Sequence, residues 1–522
     1  SAASDVYKRQ RQAYADVMAN INKRFGDLSL SANIGGSFTQ TYYDERGFQG
    51  GLKDMSNVFS LYNMTTTLDK DTYPIESGYK QRTNSIFASV EIGWKSMLYM
   101  TLTGRNDWDS ALINTEQSSF FYPSIGLSGV ISEMVKLPKA ITYLKVRGSF
   151  ASVGAPIPKN LSSNKTYEWD PATSQWKLQT YRPLPKLYPE RTNSWEAGLN
   201  AKFFNNSLSL EVTWYKANTR KQTFQVPLSG TAVYATMYAQ SGNIENKGME
   251  FSLGYNKSWG DFSWNSNLTF SFNKNKIVEL LDDAVDDEGN HYSLNEIDKG
   301  GIGSAKVILR KGGSMGDMYV TNRLKRDNEG NVYIDKASQN VKKEDIKNSD
   351  EFIHIGSVLP KSNLGFRNDF SYKGISLGFM LAARFGGIVI SPTQAVMDQF
   401  GVSKVTALAR DNEGVPVNNG KVDPQTYYTE VGGISGLMSN YVYSATNVRL
   451  QELSVGYSLP AKWFNNKCNL SLSITGHNLW MIYNKAPFDP EATASTGTYY
   501  QGVDYFMQPS LRSWGFNVKI QF

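Results

Sequence analysis

The chain has 522 residues, 40% hydrophobic and 13% aromatic, with a formal net charge of +6 and a mean hydropathy of −0.42. No apolar run reaches the roughly 18 residues of a membrane-spanning helix, and the charge forms no basic tract of the kind that binds nucleic acid. Cys468 is the only cysteine, and His291, His354 and His477 lie far apart without ligand spacing, so neither an internal disulfide nor a Cys/His metal cluster is available.

The opening SAASDVYKRQ resembles translated adaptor sequence, and residues 1–10 are set aside as an expected non-native segment. No signal peptide precedes it, so an outer-membrane reading implies a chain missing its beginning. From residue 11 onward the dominant signal is alternation of apolar and polar residues, the mark of β-strands with two unlike faces. Val17, Ala19 and Ile21 lead through a Gly26-Asp27 turn into a run from Leu28 to Ile34. Ile86, Ala88, Val90, Ile92 and Trp94 turn at Lys95-Ser96 into Leu98, Met100 and Leu102. Ile125 and Leu127 follow, then Leu144, Val146 and Phe150, then Trp195, Ala197, Leu199, Ala201 and Phe203. Asn205-Asn206 turns that strand into Leu208, Leu210, Val212 and Trp214. The scheme continues through Met249–Tyr255, Phe262–Phe272, Leu364–Tyr372, Ile375–Phe385, Leu453–Tyr457 and Leu470–Ile474. The terminal strand alternates Trp514, Phe516, Val518, Ile520 and Phe522 on one side with Asn517, Lys519 and Gln521 on the other. About fifteen strands result.

Charges keep to the polar parity: Glu91, Lys145, Arg147, Glu196, Lys202, Glu211, Glu250, Arg367, Asp369, Arg384 and Lys519. A lipid-facing Lys or Arg at mid-bilayer costs about 2–4 kcal/mol, so a membrane barrel requires this segregation; a soluble sandwich also shows it. The connections discriminate. Short turns alternate with long segments at 39–83, 107–119, 153–189, 219–243, 275–362, 387–445 and 481–507. Short turns at one end and long loops at the other are the asymmetry of outer-membrane barrels, periplasm against exterior, whereas a Greek-key sandwich mixes its connections. The expected fold is therefore all-β, a transmembrane antiparallel β-barrel with its charged parity facing the lumen.

Several segments resemble the C-terminal barrel of SusC/RagA-type TonB-linked outer-membrane transporters. They are GNIENKGMEFSLGY (242–255), GSVLPKSNLGFRNDFSYKGISLGFMLAARFGG (356–387), NVRLQELSVGYSLP (447–460) and LSITGHNLWMIYNKAPFDPE (472–491), with TGRNDWDSAL (103–112) and PERTNSWEAGL (189–199) in support. The resemblance implies a 22-stranded barrel whose N-terminal plug is absent from this chain, importing oligosaccharides or peptides. It also implies a SusD-like surface lipoprotein as partner and TonB engaged through the missing N-terminal part. Trp514, Phe516, Val518, Ile520 and Phe522 would then form the signal read by the barrel-assembly machinery. The other readings are a non-transporting surface binding or adhesion barrel and a soluble β-rich hydrolase.

No hydrolase or nucleotide-binding motif stands in the chain. Asp107, Asp109 and Glu116 could be imagined as a catalytic pair, but carboxylates are common in loops and no catalytic role is assigned. No cofactor is expected beyond a possible loop Ca2+ on the acidic run 279–288, where Asp282, Asp283, Asp286 and Asp287 miss the usual calcium-loop spacing. The candidate ligand contacts are loop aromatics, whose faces stack on sugar rings: Tyr42, Tyr43, Trp169, Trp176, Tyr234, Tyr238, Tyr499 and Tyr500. Packing between loops is the competing role for each. The repeated pentapeptides Arg326–Gly330 and Arg410–Gly414 are expected to be hairpin tips.

Overall fold

The computed structural model describes residues 2–521 except 66–72, 114, 116, 159–160, 162–166, 171–174, 179–180, 183–186, 228–235, 286–290, 466, 496 and 498–500. One antiparallel sheet runs through the chain. We number its strands β1 (Ala2–Phe25), β2 (Leu28–Gly51), β3 (Tyr73–Trp94), β4 (Leu98–Asp109), β5 (Ser119–Val130) and β6 (Ile141–Ala155). Next come β7 (Glu190–Phe203), β8 (Leu208–Pro227), β9 (Thr236–Trp259) and β10 (Phe262–Glu279). The last five are β11 (Ser362–Tyr372), β12 (Ile375–Phe385), β13 (Asn447–Ser458), β14 (Asn469–Asn484) and β15 (Ser513–Gln521). Each pairs with its sequence neighbours, so the sheet is an up-and-down meander, as the alternation of short and long connections requires; the pair Tyr181–Arg182 adds a short parallel strand beside β9.

The apolar faces are uncovered by protein. Trp195 is 58% exposed, Trp214 42%, Met249 49% and Ile474 52%. Two sheets stacked face to face would bury these side chains between them, and the structure does not. The outward parity is thus the lipid-facing band of a barrel. Ser266 and Asn368 are polar residues on that parity, and they face one another across β10 and β11. Both are buried beneath rings: Trp264 stacks on Phe370 at 5.9 Å, and its indole N–H donates to Asn368 Oδ1 at 3.0 Å. The indole satisfies the Asn368 side-chain oxygen, while Asn368 Nδ2 is buried without a hydrogen-bond partner among the described residues.

Glycine supplies the left-handed backbone at some of the short connections, whereas Lys95, Ser96, Phe204 and Lys373 take it without that freedom. Gly26 has φ +58° and Gly374 φ +88°, a region where a Cβ is costly. At Gly374 a Cβ would also stand 2.7 Å from the Ser458 carbonyl oxygen, which accepts the close approach only because no side chain is present.

Several strands outrun the sequence-based limits. β2 continues to Gly51 and β3 begins at Tyr73, inside the segment 39–83 expected to be loop; β8 and β9 likewise invade 219–243. Ladder hydrogen bonds are made by the backbone, so pairing persists after the hydrophobic alternation has ended. Residues 2–10, set aside in the sequence reading, extend β1 and pair with 43–51. One turn expectation is corrected. Arg326–Gly330 is a tight turn held by the Asp327 carboxylate, which accepts from the Glu329 and Asn331 amides. Arg410–Gly414 instead ends the helix Lys404–Asp411, with Glu413 and Gly414 at positive φ.

Candidate functional site: the inner wall and the exterior unit

The polar parity of the sheet forms a connected charged wall. Arg147 on β6 reaches across β7 to β8, where its guanidinium donates to Asn200 Oδ1 and Glu211 Oε1, both at 3.0 Å, and to Thr213 Oγ1 at 2.7 Å. Gly198 makes the crossing possible: a Cβ there would stand 2.7 Å from Arg147 Nε. Glu196 and Glu250 flank this cluster, and a groove of about 740 Å3 continues past Ser271 to Asn363 on β11. A second cluster follows. Arg367 holds Asp369 through two bonds at 2.9 and 3.1 Å and approaches Glu452 at 3.4 Å, which His477 meets at 3.9 Å. Of the other charges expected on this face, Glu91 accepts from Thr101 at 3.4 Å, Lys202 lies over the Tyr143 ring, Arg384 donates to the Val358 carbonyl at 3.1 Å, and Lys519 faces Ser471.

The long connections, expected to lie outside the membrane, build one packed unit, termed the exterior unit, which sequence reasoning did not foresee. A four-stranded sheet (Glu296–Ile302, Ala305–Arg310, Asp317–Val320, Ile353–Ser357) joins helices α1 (Pro392–Gln399), α2 (Lys404–Asp411) and α3 (Pro424–Val431). Its core contains Val307, Leu309, Met318, Val320, Val358, Ile390 and Met438, all buried. Ile244 of β9 and Ile277 of β10 belong to the same core, which bolts the unit to the barrel rim. Ser391 caps α1 and also donates to Asp504 Oδ2 at 2.6 Å, tying the segment 387–445 to the last loop. Burial first, and the Asp398 carboxylate second, push the Tyr441 hydroxyl far above the ordinary phenol range.

Also missed in the sequence was a buried latch. Arg449 at the exterior end of β13 pairs with Asp489 at 3.0 Å and Glu491 at 3.2 Å, and Asn447 donates to Glu491 at 3.1 Å. Burial disfavours ionised Asp489, yet the Ser510 hydroxyl, the Glu491 amide and Arg449 together hold its carboxyl below the ordinary range. The NKAPFDPE string carried the acids, but nothing in it pointed to Arg449.

The candidate aromatics do not converge on one place. Tyr42 is partly exposed; Tyr43 stacks on Tyr79 at 5.4 Å and donates to Glu45 at 2.7 Å. Trp169 and Trp176 are cross-strand partners in the hairpin Tyr167–Asp170/Gln175–Leu178, with Trp176 68% exposed. Tyr238 packs against the buried cluster of Leu112, Phe120, Ile157 and Leu187. Tyr234, Tyr499 and Tyr500 lie outside the described residues, as do Glu116, Asp286, Asp287 and Phe522. Trp514, Phe516, Val518 and Ile520 project, exposed, from β15. Asp107 is engaged by Arg105 at 2.7 Å and Tyr122 at 2.5 Å, and Asp109 caps the turn at Ser110–Leu112. Asp282 and Asp283 lie in the strand Leu281–Val285; among the described residues no three His, Cys, Asp or Glu side chains stand together as a metal site.

Comparison with known proteins agrees with this architecture. A family profile described as "TonB dependent receptor-like, beta-barrel" matches residues 2–304. TonB-dependent receptor P3 of Formosa agariphila is 26% identical over 99% of this chain and 53% of its own length. TonB-dependent receptor SusC of Bacteroides thetaiotaomicron is 23% identical over 84% of this chain and 43% of its own. Among solved structures, the RagAB peptide transporter superposes with a TM-score of 0.71 at 20% identity, over 99% of this chain and 56% of that one. The chain spans about half the length of the curated relatives it matches.

Proposed function

This chain belongs to the TonB-dependent receptor-like β-barrel family of the outer membrane, and from that premise we propose that it supplies barrel wall and exterior loops to a TonB-coupled importer of a bulky nutrient. The cargo class is an oligosaccharide or a peptide, taken up in a SusC/SusD-like system. The partners are a SusD-like surface lipoprotein at the exterior unit and TonB on the periplasmic side. No catalytic step is assigned.

The observation that carries this reading is the division of labour across each strand. Apolar side chains face lipid, while Arg147, Glu211, Arg367 and Glu452 form a hydrogen-bonding wall on the other face. An adhesin would need only the exterior loops, so it leaves that wall without a task. A bulky polar solute passing along it meets charges already paired to one another, which offer many weak contacts and no deep trap.

Deleting the gene is expected to abolish growth of the producing organism on at least one oligosaccharide or peptide source while growth on monosaccharides and amino acids continues. Loss of TonB should reproduce the defect. Full uptake of every polymer tested, or a defect indifferent to TonB, overturns the proposal.

A further inference from the structure

The formal charge of the chain is concentrated at one end of the barrel. The seven short connections (23–28, 94–98, 131–140, 202–207, 256–262, 371–375 and 459–468) together hold ten Lys and Arg residues against Asp27, Glu133 and Asp261. Their excess of seven positive charges exceeds the +6 of the whole chain, so everything else is close to neutral. At four of these turns a lysine sits over an exposed interfacial ring: Lys23 over Phe25 and Lys95 over Trp94, each at 5.1 Å, Lys257 over Trp259 at 5.5 Å, and Lys373 over Tyr372 at 5.3 Å. Aromatic rings mark the membrane interface, so these ammonium groups stand at headgroup depth of the periplasmic leaflet.

Two of these connections are longer than tight turns, and the one between β13 and β14 holds a 3-10 turn at Ala461–Phe464. Between β5 and β6, residues Ile131–Met134 form a single helical turn. The turn folds back against the outer face: a Cβ on Gly129 would meet Met134 Cε at 3.1 Å and Leu98 Cδ2 at 3.5 Å. The result is a groove of about 730 Å3, walled mainly by Trp94, Leu98, Met100, Leu127, Met134 and Val146. That volume lies in the range of small-molecule sites, about 300–1,000 Å3. The groove is built on the lipid-facing parity, and Lys95, Lys136 and Lys139 belong to the turns at its periplasmic end. Lys95 meets Asp27 at 3.6 Å, an exposed pair that leaves it 44% accessible; Lys136 and Lys139 are exposed and make no ion pair among the described residues.

We propose that this groove is a binding site for an anionic phospholipid of the periplasmic leaflet, with an acyl chain between Trp94 and Met134 and the headgroup phosphate among Lys95, Lys136 and Lys139. An apolar channel alone would take any lipid. The cationic rim selects for negative headgroups, because each nearby lysine favours an anionic surface.

The test uses the native receptor extracted from outer membranes, delipidated, and offered dioleoyl phosphatidylglycerol or dioleoyl phosphatidylcholine, with retained lipid read by native mass spectrometry. Retention of phosphatidylglycerol is expected to exceed that of phosphatidylcholine by about tenfold or more. The triple variant Lys95→Gln, Lys136→Gln, Lys139→Gln should erase the preference, and the corresponding Lys→Arg triple should keep it. Gly129→Leu, which fills the groove and leaves the lysines, should lose the retained lipid. Equal retention of the two lipids by the native receptor, or an undiminished preference in the Gln triple, overturns the proposal. Full displacement of the lipid by millimolar inorganic phosphate would reduce the site to its headgroup contacts and overturn the role of the groove.

Discussion

Replacing Arg449 by alanine is expected to free the last long loop from the barrel wall at a cost of about 3–5 kcal/mol, the range for stripping one partner from a buried ion pair. The Arg449 and Asp489 side chains are each 9% exposed, so water cannot take over for the lost guanidinium. Glu491 loses the same partner, and Asn447 Oδ1 loses the Arg449 Nε–H at 3.2 Å. Limited proteolysis of residues 485–512 in outer-membrane vesicles should show faster cleavage in Arg449→Ala, with Arg449→Lys intermediate. Cleavage at the native rate would mean that the loop is held by other contacts. The latch also has a pH signature. The folded carboxyl of Asp489 lies below its unfolded value, so its stabilisation is complete above the ordinary carboxylate range, near pH 4, and fades as pH falls through the lowered folded value. Protection from protease should therefore be flat from pH 7 to about pH 5 and decline only in stronger acid. Opening near pH 6 would assign control of the loop to another group.

Val212→Arg should destabilise the membrane-inserted barrel by about 2–4 kcal/mol, the penalty for a cation on the lipid face near the midplane. Its sequence neighbour provides the contrast. Glu211 projects to the opposite face and pairs with Arg147 at 3.0 Å while 48% exposed. Such a solvated pair contributes at most about 1 kcal/mol, so Glu211→Gln should be nearly silent. Equilibrium unfolding by denaturant in phospholipid vesicles measures both. If the two substitutions cost the same, the faces of β8 are not divided between lipid and lumen, and the barrel reading of this wall fails with them.

The alternation of apolar and polar residues determined the fifteen strands of the meander, their neighbours and which side of each meets lipid, but not the short parallel strand Tyr181–Arg182. Period-two patterning is a local property, and in an up-and-down meander the partner of each strand is its neighbour in sequence, so local information sufficed. Val17, Trp195, Val212 and Ile474 all lie on the side that their spacing predicted. Strand ends were less legible: at Gly51 and Tyr73 the backbone keeps pairing where the side chains no longer alternate.

Only the tertiary structure decided what the long connections do. Met318, Ile390, Met438 and Val503 are far apart in the chain and carry no shared period, yet they close one core with Ile244 and Ile277 of the wall. Arg449 and Asp489, forty residues apart, find each other for the same reason. Contacts between loops are set by where the barrel rim delivers their ends, and that placement exists only once the sheet has curved.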